Sequence, residues 1–167
     1  VCREASLKEI VRRYYKCMCD QKVSGVVKQD RFKLELLMNQ AGIAPGDREV
    51  EKKAAACSEA IDGAPAAAIE LADGSIVTGK TGPLLGAASS ALLNALKRLA
   101  GIDQEIDLVS SKAIEPIQQL KTTYLGSKNP RLHTDEILIA LSSSAYENPI
   151  AAAAMRELPK LRGCDIH

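Results

Sequence analysis

Apolar positions recur with helical spacing over the first third of the chain. In "SLKEIVRRYYKCMC" Leu7, Ile10, Val11, Tyr14 and Met18 lie on one face, and Ser6 with Glu9 three residues later reads as a capping box at the helix start. A second stripe, Leu34, Leu37, Met38 and Ala41, runs through "QDRFKLELLMNQAG" and stops at Gly42, a left-handed C-cap. A third helix is expected from about Asp47 to Ile61, with Val50, Ala54, Cys57 and Ile61 on one face and Gly63 closing it. The short connections between these stripes predict a small antiparallel bundle.

The pattern then changes period. "AAAIELADGSIVTG" is two β-like runs joined by Asp73-Gly74, a strong short-range hairpin signal. After Pro83 a helical pattern returns through "ASSALLNALKRLAG", with Gly101 as its stop. "IDLV", Ile106 to Val109, reads as a short buried strand, and Pro116 as the first turn of a helix reaching about Lys121. A helix follows from Thr134 to about Ala145, with Asp135 and Glu136 in the first turn, where the dipole favours them. Asn148-Pro149 starts the last helix and Leu158-Pro159 ends it. The expected fold is therefore α+β: an N-terminal helical bundle, then an α/β unit with a hairpin, one further strand and several helices. The expected boundary divides a helical subdomain, 1–63, from an α/β subdomain, 64–167, truncated at its C-terminal end. Val1 stands inside apparent structure and "GCDIH" follows a helix directly, so the sequence reads as part of something longer.

Composition narrows the functional classes. With 22 basic and 21 acidic residues the net charge is +1, so no broad field attracts nucleic acid or an anionic membrane surface. Only 3% of residues are aromatic, so the core must be built of Ala, Leu, Ile and Val. No apolar run approaches the roughly 18 residues of a membrane span, and a cytoplasmic setting is expected. The 5 cysteines, Cys2, Cys17, Cys19, Cys57 and Cys164, are an odd set and read as reduced thiols. Cys17 and Cys19 on a helix point about 200° apart, and His133 and His167 are the only histidines, so no metal site is expected.

One stretch matches a nucleotide-binding pattern. "GSIVTGKT" fits G-x-x-x-x-G-K-[ST], with Gly74, Gly79, Lys80 and Thr81 on the fixed positions. A working phosphate loop needs a flexible segment between the glycines and a helix beginning at the Lys-Thr pair. Here Ser75, Ile76, Val77 and Thr78 are dominated by β-formers, and Pro83 delays the helix. The expectation is a hairpin strand leading into a Gly-rich loop, with Lys80 and Thr81 offered to a small anion rather than to a triphosphate. The second polar concentration is "NPRLHTDE", where Asn129, Arg131 and His133 precede a helix start and form a candidate anion or substrate contact. The sequence calls for no cofactor.

The order hairpin, helix, strand, helix resembles the opening of the cytidine-deaminase-like fold, and "AAAIELADGSIVTG" is similar to its first hairpin. Such enzymes require a zinc ligand and a Glu at the start of the next helix and a later Cys pair. "GAASSALLN" has none of these, and no C-x-x-C occurs. A more extensive resemblance is carried by "LLMNQAGIAPGDR", "IVTGKTGPLLGAASSALLNALK", "YLGSKNPRLHTDEILIALS" and "LPKLRGC". Together these resemble the C-terminal portion of uncharacterised protein family 0371, a bacterial family whose members are much longer. The resemblance implies a cytosolic bacterial protein whose partners include the rest of a parent chain. It brings no catalytic residues with it. Two readings follow: a non-catalytic domain for self-association, as a homo-oligomer, that encloses a ligand held mainly by an upstream part; or an enzyme domain with an anion-binding edge at Arg131 and His133.

Overall fold

The computed structural model describes residues 2–25 and 29–167, without the side chains of Cys2 and Glu4. Chain contacts divide it into two compact units, 1–49 and 50–167.

In the first unit, α1 (Cys2–Ser24) and α2 (Gln29–Ala41) pack together. They run antiparallel, because Tyr14 Oη donates to Glu35 while Arg31 donates to Gln21 further along. Val11, Leu34 and Met38 are buried. The predicted capping box is corrected: α1 begins at Cys2, so Ser6 lies inside it. Glu9 instead pairs with Arg12 and Arg13 at 3.2 and 2.9 Å. Gly42 does close α2, at φ 66, with Ile43 N–H donating to the Met38 carbonyl.

In the second unit a three-stranded antiparallel sheet has the order β2-β1-β3. The hairpin forms as its pattern requires: β1 (Ala66–Glu70) pairs with β2 (Ile76–Lys80) in the register Ala67 to Gly79 and Ile69 to Val77. At the turn Gly74 takes φ 80, open to residues without a side chain. The Asp73 carboxylate accepts Ser75 N–H at 2.9 Å and Ser75 Oγ–H at 2.6 Å, and these bonds hold it below the usual carboxylate range.

β1 is buried on both faces, which is why it reads as a continuous small-apolar run rather than an alternation. Ala68 packs with Val50 and Ala54 of α3 (Glu49–Glu59), while Ala67 and Ile69 pack with Ala91 and Ala95 of α4 (Ala87–Ala100). A further core joins α4 to α5 (Ser111–Gln119), α6 (Thr134–Ala145) and α7 (Pro149–Arg156) through Leu96, Leu108, Ile114, Leu132 and Leu141. Asn148 caps α7, its Oδ1 accepting Ile150 N–H at 2.9 Å.

Two expectations of the second unit are corrected. Ile106–Val109 is not a strand: Leu108 and Val109 are buried in the helical core without a ladder. The third strand is β3 (Asp165–Ile166), paired with Ile69 and Glu70 of β1 and continued by His167 to Ala68. The cytidine-deaminase-like order thus loses its strand. Pro116, expected in a first turn, sits inside α5, and a π-helical turn, Leu120–Tyr124, follows it. No helix among the described residues is long and apolar enough to cross a membrane.

Candidate functional site

β2 ends at Lys80 and α4 begins only at Ala87, so residues 81–86 must bridge strand and helix. Three of their backbone amides are committed to the protein itself. Thr81 N–H donates to the Pro65 carbonyl at 2.9 Å, Gly82 N–H to Leu85 at 3.0 Å and Gly86 N–H to Leu132 at 3.2 Å. In return Leu132 N–H donates to Leu84, completing an isolated parallel bridge between Leu85 and Leu132. The buried Ser89 hydroxyl also donates to the Leu132 carbonyl, at 2.8 Å. Amides so used cannot wrap a phosphate, and the residues between Gly74 and Gly79 are paired strand.

Gly79 has a structural role. A Cβ built there would lie 2.0 Å from Ala91 N and 2.5 Å from Ala91 Cα. The glycine is what lets α4 lie directly on β2.

Between the 81–85 loop, α4 and residues 107–114 lies a cleft of about 380 Å³. Lys80 and Thr81 line it, as do Ser90, Asn94 and Lys97, which α4 projects together at a spacing of four and three residues. Leu84, Leu85, Leu93 and Ile114 form apolar wall. Asn94 Nδ2 donates to the Thr78 carbonyl at 3.0 Å, covering part of the outer edge of β2. Lys97 Nζ donates to the Gln104 carbonyl at 2.8 Å. Asp107 is the cleft's carboxylate, and Ser111, the first residue of α5, also lines it.

The 127–133 segment is held as tightly as the loop it faces. Lys121 is buried, and its ammonium donates to the Arg131 carbonyl at 2.6 Å and to Glu136 Oε2 at 2.7 Å. The same Glu136 oxygen accepts His133 N–H at the start of α6. Asn129 Oδ1 accepts Arg131 N–H at 3.2 Å. Arg131 Nε then donates to the Gly82 carbonyl at 2.7 Å, joining this segment to the rim of the cleft.

Of the residues singled out in the sequence, Lys80 and Thr81 thus line the cleft and Arg131 touches its rim. Asn129 and the exposed His133 share Arg131's segment but do not line the cleft. Sequence reasoning missed Ser90, Asn94 and Lys97. Their signal was available as a polar stripe at helical spacing in "ASSALLNALK", where Ser89 is the one other polar residue. Among the described residues no cluster of His, Cys, Asp and Glu could hold a metal ion. Cys17, Cys19, Cys57 and Cys164 are free, and burial, with Glu70 nearby, pushes the Cys164 thiol up. The Cys2 thiol lies outside the described residues.

Comparison with known proteins gives the chain its relatives. It is 52% identical over its whole length to a UPF0371 protein of Corynebacterium aurimucosum, of which it covers 33%. A Corynebacterium efficiens UPF0371 protein is 53% identical over the same length, with 34% covered. One from Streptococcus pneumoniae serotype 19F is 49% identical over 98% of this chain, with 33% covered. The chain therefore spans about a third of the length of these curated relatives. Residues 46–167 match the C-terminal part of a domain of unknown function, DUF1846. With that match and relatives in two bacterial genera, the chain belongs to the UPF0371 family, as its C-terminal DUF1846 region.

Proposed function

We propose that this region is a non-catalytic module of a longer cytoplasmic protein, which closes one side of a small anionic ligand held mainly by the rest of the polypeptide. The carrying observation is the cleft beside β2, whose lining combines Lys80 and Thr81 with an apolar wall. The lining combines the charges of Lys80 and Lys97 with hydroxyls from Thr81, Ser90 and Ser111 against the one carboxylate of Asp107, a donor-rich set that supports holding an anion. All lining residues fall between 80 and 114, which supports giving the ligand role to an α/β subdomain, 64–167, and a separate one to a helical subdomain, 1–63. Self-association belongs to the same reading. β2 and the two-residue β3 are sheet edges, and such edges invite a strand from another copy.

The test is a titration of isotopically labelled chain with phenyl phosphate. Amide shifts should cluster at Lys80–Leu85 and Ser90–Lys97, and Lys80→Ala should weaken them. Shifts scattered over the surface, or none, would end this reading. A second reading, an enzyme edge at Arg131 and His133, is favoured by the bond from Arg131 to Gly82, which sets the guanidinium at the cleft rim. It requires that Arg131→Ala abolish a turnover which the present reading says is not there.

A further inference from the structure

Two lysines in the α/β unit are buried, and they are treated differently. Lys121, 6% exposed, has the Glu136 carboxylate at 2.7 Å and the Arg131 carbonyl at 2.6 Å. Lys97, 7% exposed, has the Gln104 carbonyl and no carboxylate partner among the described residues. An ammonium carries three N–H donors, and a buried charge is normally paired because leaving it unpaired is expensive. Lys97 stands in the last turn of α4, where the helix end supplies only about half an elementary charge of opposite sign. The Lys97 and Arg98 carbonyls of that end are already occupied by the N–H groups of Gly101 and Ile102.

The surroundings add more positive potential than negative. Lys97 lines the cleft together with Lys80, against the single carboxylate of Asp107. The first residue of the nine-residue α5, Ser111, lines the same cleft, and the N-cap Ser110 side chain makes no capping bond. The positive end of a second helix therefore borders the same space. Next to these groups is apolar wall, including Leu84, Leu85, Leu93 and Ile114.

We infer that Lys97 is the anchoring residue of the cleft and that its missing counter-charge is the ligand: an organic oxyanion, phosphate or carboxylate, on an apolar body that lies along the leucine wall. This rests on the reading of the cleft as a ligand site and deepens it. It also accounts for the contrast between the two lysines. Lys121 has a structural partner and fixes a loop, whereas Lys97 is kept without one, as a residue held for binding rather than for stability is.

The experiment uses this chain with three probes: phenyl phosphate, benzoate and inorganic phosphate. Phenyl phosphate or benzoate should bind more tightly than inorganic phosphate, and which of the two binds better identifies the oxyanion. Lys97→Met keeps the aliphatic stem and removes the charge. It should weaken the preferred probe by roughly tenfold or more, as for loss of a hydrogen bond to a charged group. Without probe, the same variant should melt at or above the wild-type temperature, because an unpaired buried charge has been removed. The ammonium signal of Lys97 in the wild-type chain should move on adding the probe, a readout independent of any variant. Binding lost in Lys80→Ala but unchanged in Lys97→Met overturns the inference and leaves the cleft reading standing. A clear fall in melting temperature for ligand-free Lys97→Met, or an unmoved ammonium signal at saturation, makes Lys97 structural and also overturns it. No response to any of the three probes overturns both.

Discussion

Replacing Gly79 by alanine separates the two meanings of the sequence around it. If Gly79 belonged to a phosphate loop, an added methyl would disturb a ligand and leave the fold nearly unchanged. In the structure the methyl would instead sit 2.0 Å from Ala91 N, 2.5 Å from Ala91 Cα and 2.6 Å from the Ser90 carbonyl carbon. Those are backbone atoms of α4 and cannot rotate away. Ordinary carbon contacts are about 3.5–4.0 Å, so the helix must back off the sheet. Ala91 and Ala95, both fully buried on that interface, would lose close contact with it. Overpacking of a core costs about 1–3 kcal/mol and occasionally more, and rigid backbone on both sides places this case at about 3 kcal/mol or above. For a chain of this size each kcal/mol is worth about 2–4 °C, so thermal unfolding by circular dichroism should fall by roughly 6–12 °C. Gly82→Ala is the control, since a Cβ there meets nothing within 4 Å and no left-handed φ is required. A loss of less than about 2 °C for Gly79→Ala, or an equal loss in both variants, would refute the packing argument.

Lys121→Met should cost about 3 kcal/mol in urea denaturation, the low end for breaking a buried pair because Glu136 is partly exposed; adding Glu136→Gln should recover part of it. Asn148→Ala removes the cap of α7 and should cost about 1 kcal/mol by the same measurement. Magnesium-ATP should bind no more tightly than phenyl phosphate, because the Thr81, Gly82 and Gly86 amides are already bonded within the protein and cannot wrap a triphosphate; tighter, triphosphate-selective binding abolished by Lys80→Ala would contradict this. Alkylation followed by mass spectrometry should label the exposed Cys19 before Cys164. The latter's raised pKa leaves less thiolate at mildly alkaline pH; the reverse order would count against the burial assigned to it.

Much of this fold was legible because its signals are local. Asp73-Gly74 fixes its own turn, and Asn148-Pro149 carries both a cap and a first helical residue. The start of the helix at Thr134 was legible because Asp135 and Glu136 stand in its first turn, and Glu136 does reach back to the His133 amide. The errors share a different cause. β3 is two residues long and exists only through pairing with β1, about a hundred positions earlier, so no periodicity can announce it. Ile106–Val109 has the composition of a buried strand, and burial was correct for Leu108 and Val109, but periodicity does not distinguish a strand from an irregular segment packed among helices. Ser6 and Glu9 match a cap by spacing, yet α1 continues past them toward the N-terminus.

The same distinction explains what the candidate site hid. "TGKTG" drew attention as a motif, and its lysine and threonine do line a cleft, though for a reason unrelated to phosphate loops. Gly79 brings α4 onto β2, and the helix cannot start until Ala87, so residues 81–86 have to cross between them. That crossing is fixed on one side by Leu132 and by Arg131, which Lys121 and Glu136 hold in turn. It also bounds the space above the Ser90, Asn94 and Lys97 stripe. Arg131 is therefore a strut for the cleft whether or not it meets a ligand. Its substitution should loosen the rim even where the ligand's own contacts are elsewhere. A binding defect in Arg131→Ala is then decisive for direct contact only if Lys121→Met, which loosens the same segment without touching the guanidinium, leaves binding intact.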